Sequence, residues 1–167
     1  MEEKTKVPSQ SVRIAVVRVR GDTNLGPDIK KSFELLRLYR KNYCVVVTNS
    51  KTLSGMVYKI KDFVTFGELD KETFVKLLQI RGKIAGDKPL TETFLKDKTK
   101  LGFKEFADAF YDSKIDLKSV PGVKQFFRLH PPIGGFEREG IKRSYAEGGT
   151  LGYRGKAINK LIERMIK

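Results

Sequence analysis

The chain has 167 residues, the size of one domain, and a hydrophobic fraction of 40%, which is enough for a packed core. Its 34 Lys and Arg residues against 20 Asp and Glu give a net charge of +14, and the isoelectric point is near 9.9. This composition excludes a disordered basic tail. It favours a protein that binds a polyanion, because so large a charge repels itself in a compact state unless a partner neutralises it.

Nucleic acid is the favoured polyanion, and a membrane is not. The sequence contains no run of about 18 apolar residues that could span a bilayer, and residues 1–10 lack the apolar stretch of a signal peptide. The single cysteine, Cys44, excludes an internal disulfide, which favours a reducing compartment. We therefore expect a cytoplasmic protein with no membrane partner.

The charge is spread unevenly along the chain. Residues 1–68 carry a net charge of +6, residues 69–120 carry +2, and residues 121–167 carry +6. The nearly neutral middle part is typical of a scaffold, so both ends are expected to hold the partner.

Periodicity and turn residues predict alternating strands and helices in the first part of the chain, after a disordered segment over 1–10. The apolar pattern gives a strand over 11–20, a helix from Pro27 to about Tyr39, a strand over 43–48, a short helix over 53–60 and a strand over 62–68. The order β-α-β-α-β, with short connections, predicts a compact α/β core.

The second part of the chain is predicted to be mainly helical and then rich in turns. A helix capped by Asp70 and another over 102–112 precede a strand over 123–129. Residues 130–155 contain seven glycines and no long apolar period, and the chain closes with an amphipathic helix whose stripe is Ile158, Leu161, Ile162 and Met165. Because glycines and charges make a poor core, we expect residues 130–155 to be mobile alone and ordered on RNA.

The sequence offers little material for catalysis or for a cofactor. One Cys and one His cannot make a zinc site, and Cys44 lies in a predicted core strand, where a small buried hydrophobe is expected. His130, the only imidazole, precedes two prolines and fits RNA stacking or loop packing better than catalysis. The segment GGTLGYRGKA fails the phosphate-loop pattern, since Thr150 replaces a glycine and Ala157 a hydroxyl residue. We expect no enzyme, no metal, no cofactor and no small-molecule substrate.

The carboxyl-terminal segment combines glycine, cations and aromatic residues. Glycine lets a backbone approach a phosphate ridge, Lys and Arg neutralise it, and aromatic rings stack on bases. The alternative is that this carboxyl-terminal segment is only a flexible connector. The predicted RNA-binding residues here are Arg128, His130, Arg138, Lys142, Arg143, Tyr145, Tyr153, Arg154 and Lys156.

A second predicted RNA patch joins the end of the first strand to the start of the second helix. Arg18 and Arg20 end the strand, and Lys51 and Thr52 begin the helix, whose N-terminus can hold a phosphate. The alternative is that Asn49 or Ser50 only caps this helix and no ligand binds.

Two long stretches carry a family resemblance. LRLYRKNYCVVVTNSKTLSGMVYKIKDFVTFGE resembles the core of ribosomal protein L-thirty of the large subunit, and RVRG, CVVVTNS and LSGMVYKI are the recurring motifs. RLHPPIGGFEREGIKRSYAEGGTLGYRGKAINKLIERMI resembles the carboxyl-terminal extension of its archaeal and eukaryotic (L-seven) branch. Only about ten mixed-charge residues precede the first strand, which favours the archaeal form.

The resemblance implies an α+β fold with a three-stranded antiparallel sheet and helices on one face, docked on large-subunit ribosomal RNA beside neighbouring ribosomal proteins. It supplies no catalytic residue. The expected division is a disordered segment over 1–10, the L-thirty-like core over 11–68, a helical segment over 69–120 and a basic RNA-binding extension over 121–167. The expected function is that of a structural constituent of the large subunit. The alternatives are an RNA-modifying enzyme and a free-standing RNA-binding adaptor.

Overall fold

The computed structural model describes residues 13–23 and 25–167, so the segment expected to be disordered, 1–10, lies outside the described residues. The first five elements follow the predicted order. They are β1 (Arg13–Arg18), α1 (Pro27–Leu35), β2 (Tyr43–Thr48), α2 (Lys51–Lys59) and β3 (Val64–Glu68). The remaining helices and strands are α3 (Lys71–Arg81), α4 (Glu92–Thr99), α5 (Phe103–Tyr111), β4 (Phe127–Arg128), β5 (Gly152–Tyr153) and α6 (Ala157–Ile166).

The sheet has five strands in the order β4-β2-β1-β3-β5, so the expected number of three is wrong although the α+β class is confirmed. β1 pairs antiparallel with β2 and β3, which is the expected sheet. Two-residue strands from the carboxyl-terminal part extend both edges: β4 is antiparallel to β2, and β5 is parallel to β3. β4 lies within the strand predicted over 123–129, shortened to two residues, whereas β5 has no hydrophobic period of its own to predict it.

Helices cover both faces of the sheet, whereas the resemblance implied one. Val16 in β1 packs with Phe33 and Val57, which belong to α1 and α2. Its neighbours Ala15 and Val17 point to the opposite face, into a cluster that α3, α5 and α6 supply. Successive residues of a strand point to opposite faces, so β1 is apolar throughout because both of its faces are covered.

Local backbone chemistry explains where the predicted helix bounds shift. α1 ends at Leu35, short of the expected Tyr39, because Arg37 has a φ of 59° in the left-handed region. α2 begins as its cap predicts, since Ser50 Oγ accepts a hydrogen bond from the Leu53 amide at 3.3 Å. Asp70 precedes α3 without a side-chain capping bond.

The core position of Cys44 is confirmed. Its side chain is fully buried in β2, in the cluster that α3, α5 and α6 cover. Burial raises the pKa of the thiol to about 12, because an apolar environment disfavours the thiolate. Cys44 is therefore an unreactive packing residue.

Candidate nucleic-acid interface

Strand direction separates the two halves of the predicted amino-terminal patch. Arg13, at the start of β1, pairs with Thr48, the last residue of β2, whereas Arg18 pairs with Val64. α2 begins three residues after Thr48, so Lys51 lies at the end of the sheet opposite Arg18. The single patch of Arg18, Arg20, Lys51 and Thr52 is therefore wrong in geometry, because an antiparallel neighbour reverses the direction of the chain.

Arg18 is an interior residue and has only 1% of its surface exposed. Its guanidinium donates to the carbonyl oxygens of Leu38 at 2.8 Å and Tyr39 at 3.1 Å, and it pairs with Asp22. Its Cζ also lies 4.0 Å from the centre of the Phe33 ring. These contacts use donors that a phosphate would need, and they hold the connection between α1 and β2.

Arg20 and Arg128 remain at the surface near the end of β1. Arg20 is half-buried, and it donates to the carbonyl oxygen of Asp62 at 3.1 Å. Arg128 pairs with Asp87 at 3.1 Å and lies across from Tyr43 in the sheet. Both guanidinium groups are partly exposed and can still reach a ligand.

Arg154 is also interior, with 5% exposure, and it anchors the glycine-rich segment to the sheet. Two of its nitrogens donate to the two carboxylate oxygens of Glu137, at 2.7 and 3.1 Å. Nε donates to Thr65 Oγ1 in β3 at 2.7 Å, and Nη2 donates to the Thr150 carbonyl oxygen at 2.8 Å. Its Cζ lies 4.6 Å from the centre of the Tyr145 ring. The structure thus gives Arg154 protein partners at the position where a phosphate contact was expected.

Glu137 is held as a carboxylate by this anchor. Burial would raise the pKa of Glu137, but hydrogen bonds and charge from Arg154 outweigh it, and the pKa lies below its ordinary value. Arg164 in α6 adds a second cation at 3.6 Å. Glu137 is therefore part of the internal support of the carboxyl-terminal extension.

Residues 137–151 form a closed loop above this anchor, which we call the anchored loop. The Thr150 hydroxyl donates to the Gly140 carbonyl oxygen at 3.0 Å, and the Leu151 amide donates to the Arg143 carbonyl oxygen at 3.1 Å. Thr150 and Leu151 are buried, so this glycine-rich segment contributes to the interior. A gain of order on RNA stays a prediction.

The outside of the anchored loop carries three exposed cations and two exposed acids, Glu139 and Glu147, a net charge of +1. Arg138, Lys142 and Arg143 are all exposed, and Lys156 is exposed at the start of α6. Arg143 lies 3.9 Å from Glu139, and among the residues that the structure describes Arg138 and Lys142 have no ion-pair partner. Four of the predicted residues are therefore available to a polyanion.

The remaining predicted residues lie around this loop. Tyr153 is exposed, its ring centre lies 5.8 Å from that of Phe66, and its hydroxyl donates to Glu68 at 3.1 Å. His130 is exposed, and its amide donates to the Met165 carbonyl oxygen at 3.0 Å. Tyr145 is half-buried against Arg154.

The family description "Ribosomal protein L30p/L7e" matches residues 14–64. The chain is 45% identical to the large ribosomal subunit protein uL30 of Methanopyrus kandleri, over 89% of this chain and all of that protein. The uL30 protein of Nanoarchaeum equitans is 44% identical over 91% of this chain and 97% of its own length, and that of Hyperthermus butylicus is 43% identical over 99% and 96%. The chain belongs to the uL30 family.

These uL30 relatives are archaeal, which confirms the archaeal form that the sequence favoured. They cover nearly the whole chain, whereas the family description ends at residue 64. The similarity therefore includes the helical segment and the anchored loop.

Sequence reasoning missed one part of this uL30 surface. Tyr39, Tyr43 and Phe126 lie together near the end of β1, beside Lys124 and Arg128. The run RLYRKNY, which places two tyrosines among three cations, was a signal that could have found it. Phe126 joins from far along the chain, and no local pattern shows that contact.

Neither a metal-binding cluster nor a membrane-spanning helix occurs among residues 13–23 and 25–167 of this uL30 chain. No group of three or more His, Cys, Asp or Glu residues there could hold a metal ion. No helix in those ranges is long and apolar enough to cross a membrane.

Proposed function

We propose that this uL30 chain binds large-subunit ribosomal RNA mainly through the anchored loop and the start of α6. As a member of the family, the chain is a structural constituent of the large ribosomal subunit in the cytoplasm and is not an enzyme. An RNA-modifying enzyme and a free-standing adaptor, the two alternatives, are not favoured by that membership. Contacts with neighbouring ribosomal proteins follow from it as well.

The observation that carries the proposal is that exposed cations stand on a loop with a fixed base. The exposed cations of the anchored loop are Arg138, Lys142 and Arg143. Arg154 ties this loop to β3, because it pairs with Glu137 and donates to Thr65. Cations that neutralise phosphates release counterions, and this release is a large part of RNA affinity. A loop already fixed by the protein loses less conformational freedom when it binds.

The start of α2 and the sheet edges supply secondary contacts in this proposal. Lys51 and Thr52 are exposed in the first turn of α2, where backbone amides and the helix dipole favour phosphate. Ser50 caps the same helix, so the capping alternative and a phosphate contact are compatible. Arg20, Arg128, His130, Tyr145 and Tyr153 complete the set of proposed contact residues.

The division of the chain at residues 68 and 120 is proposed as a division of roles. Residues 11–68 form the sheet core, 69–120 the scaffold and 121–167 the main RNA-binding part. These parts are not separate folding units, because one hydrophobic cluster includes Ala15 and Phe74 as well as Ile158.

The proposal is tested by the salt dependence of binding to archaeal large-subunit ribosomal RNA transcribed in vitro. Each phosphate contact contributes a slope of about −0.7 to −0.9 to log affinity against log salt. Replacing Arg138, Lys142, Arg143 and Lys156 by alanine is expected to flatten the slope by about three units if all four contact phosphates. Arg154 is left intact, because its loss would disturb the fold of the loop.

The matched control replaces four exposed lysines of the middle segment, namely Lys88, Lys98, Lys104 and Lys118. Both variants lose four positive charges, so the difference between their slopes isolates the effect of position. We expect the control to flatten the slope by less than one unit, roughly one contact. Equal flattening would mean that net charge alone drives binding, and the anchored loop would lose its special role.

A further inference from the structure

The aromatic group near the end of β1 is an ordered surface rather than scattered side chains. Tyr43 and Phe126 stack with ring centres 5.2 Å apart and planes within 8° of parallel. Tyr39 meets Phe126 edge to face at 5.8 Å, and yet 48% of Tyr39 is exposed. A large aromatic ring left half in water on a folded support is typical of a binding surface.

The backbone that carries Tyr39 is held from below. The guanidinium of Arg18 donates to the carbonyl oxygens of both Leu38 and Tyr39, and it is itself buried over Phe33. Phe126 meanwhile limits the Tyr39 ring from the side. The buried arginine thus positions an exposed ring, and a ring that is already positioned loses little entropy when a second ring stacks on it.

Cations flank this surface on two sides. Arg40 and Lys41 are exposed directly after Tyr39 in the chain. On the other side, Lys124 Nζ lies 5.9 Å from the centre of the Phe126 ring, and Arg128 Cζ lies 5.8 Å from it. Asp87 pairs with both Lys124 and Arg128, so that side keeps a net charge of +1. The surface therefore combines a stacking ring with excess positive charge.

A polar pair with unused hydrogen-bonding capacity lies at the same place. Within the described part of the chain, Asn42 Oδ1 and Arg128 Nε are buried and have no hydrogen-bond partner. The two residues are neighbours, because Arg128 pairs with Tyr43 and the Leu129 amide donates to the Asn42 carbonyl oxygen. Buried donors and acceptors nearly always have partners, so a water or a ligand atom is expected to complete this pair.

We propose that Tyr39 is a stacking platform for an unpaired base of the ribosomal RNA, with Arg40 and Lys41 on the adjoining phosphates. The inference rests on the proposed RNA-binding function and adds a second contact, separate from the anchored loop. An aromatic ring beside cations suits an unpaired nucleotide, since any base can stack while its phosphate is neutralised. A paired duplex offers no exposed base face, so Tyr39 can stack only on a base in a loop, in a bulge or at an end of the RNA.

The test compares variants of the full chain in binding to archaeal large-subunit ribosomal RNA over a range of salt. Stacking releases no counterions, so Tyr39→Ala is expected to weaken binding about tenfold at every salt concentration with an unchanged salt slope. Tyr39→Phe should bind within about twofold of wild type, because the ring remains. Tyr39→Leu keeps an apolar contact with Phe126 but has no ring, and it should behave as Tyr39→Ala.

Ile80→Ala is the control. Ile80 is 59% exposed in α3, so its loss removes an exposed apolar side chain from the middle segment, where no RNA contact is proposed. Its affinity should stay at the wild-type value. Wild-type affinity in Tyr39→Leu, with the chain folded by circular dichroism, would overturn the platform and leave the anchored loop untouched. A wild-type chain that does not bind this RNA would overturn the proposed function, and the platform with it.

Discussion

Replacing Arg154 by alanine is expected to lower the free energy of unfolding by about 3 kcal/mol. The change leaves Glu137 partly buried without its main partner, and it removes the donors to Thr65 and Thr150. Breaking a buried ion pair from one side is costly because the remaining charge has lost its compensation. Urea unfolding at neutral pH, followed by circular dichroism, measures the effect.

Arg138→Ala is the comparison for this change. Arg138 lies in the same segment next to Glu137, but it is exposed, so its loss should alter the unfolding free energy by less than about 0.5 kcal/mol. The two variants remove the same charge from positions 16 residues apart. If both were equally stable, the pair of Arg154 and Glu137 would not anchor the loop.

The same anchor predicts a dependence on pH. Burial raises the pKa of Glu137, but the hydrogen bonds that its carboxylate accepts and the charge of Arg154 together outweigh burial, so the pKa is lowered in the folded chain. Its contribution to stability is therefore complete above the unfolded-state pKa, and it is lost as the pH falls through the folded-state pKa. Glu137→Gln should be less stable than wild type at neutral pH, and the difference should shrink in acid.

Replacing Gly67 by alanine is expected to lower the free energy of unfolding by about 3 kcal/mol. Gly67 is buried in β3, and a Cβ there would lie 2.1 Å from the Gly155 carbonyl oxygen and 3.1 Å from Ile158 Cβ. Both obstacles belong to the chain that enters α6, so the helix start has to move away from the sheet. Denaturant unfolding measures the loss, and amide exchange at the start of α6 measures the displacement.

Gly55→Ala provides the opposite expectation for the same chemical change. Gly55 lies within α2, and a Cβ there would meet nothing within 4 Å. Alanine should stabilise this helix by about 0.5–1 kcal/mol, since it loses less conformational freedom on folding. A Gly67→Ala variant as stable as Gly55→Ala would contradict the close approach of α6 to β3.

The core could be predicted from sequence because its signals are local. β2 is confirmed with the predicted bounds, residues 43–48, and α6 carries the predicted buried stripe from Ile158 to Met165. α4 and β5 were not predicted. α4 has Leu95 as its one buried residue, and β5 is only two residues long. Neither element therefore shows a hydrophobic period that would distinguish it from a loop in the sequence.

The candidate site could be predicted only in part, because a sequence does not show which cations are exposed. Arg138 and Arg154 lie in the same glycine-rich segment, and both looked like phosphate ligands. The partners that bury Arg154 include Thr65, 89 residues away, and this contact exists only once β3 and the extension have met. Arg18 likewise reaches Leu38 through the folded connection between α1 and β2. Local composition predicted the basic surface, and long-range contacts decided which residues belong to it.

Lysine acetylation of the chain, alone and within reconstituted archaeal large subunits, would show which lysines face the RNA. Lys142 of the anchored loop and Lys156 at the start of α6 are exposed in the chain alone, as are Lys88 and Lys118 of the middle segment. Mass spectrometry then reports the rate at each lysine. Lys142 and Lys156 are expected to lose most of their reactivity in the subunit, and Lys88 and Lys118 are expected to lose less. Unchanged rates at Lys142 and Lys156 would contradict the assignment of the anchored loop to the RNA.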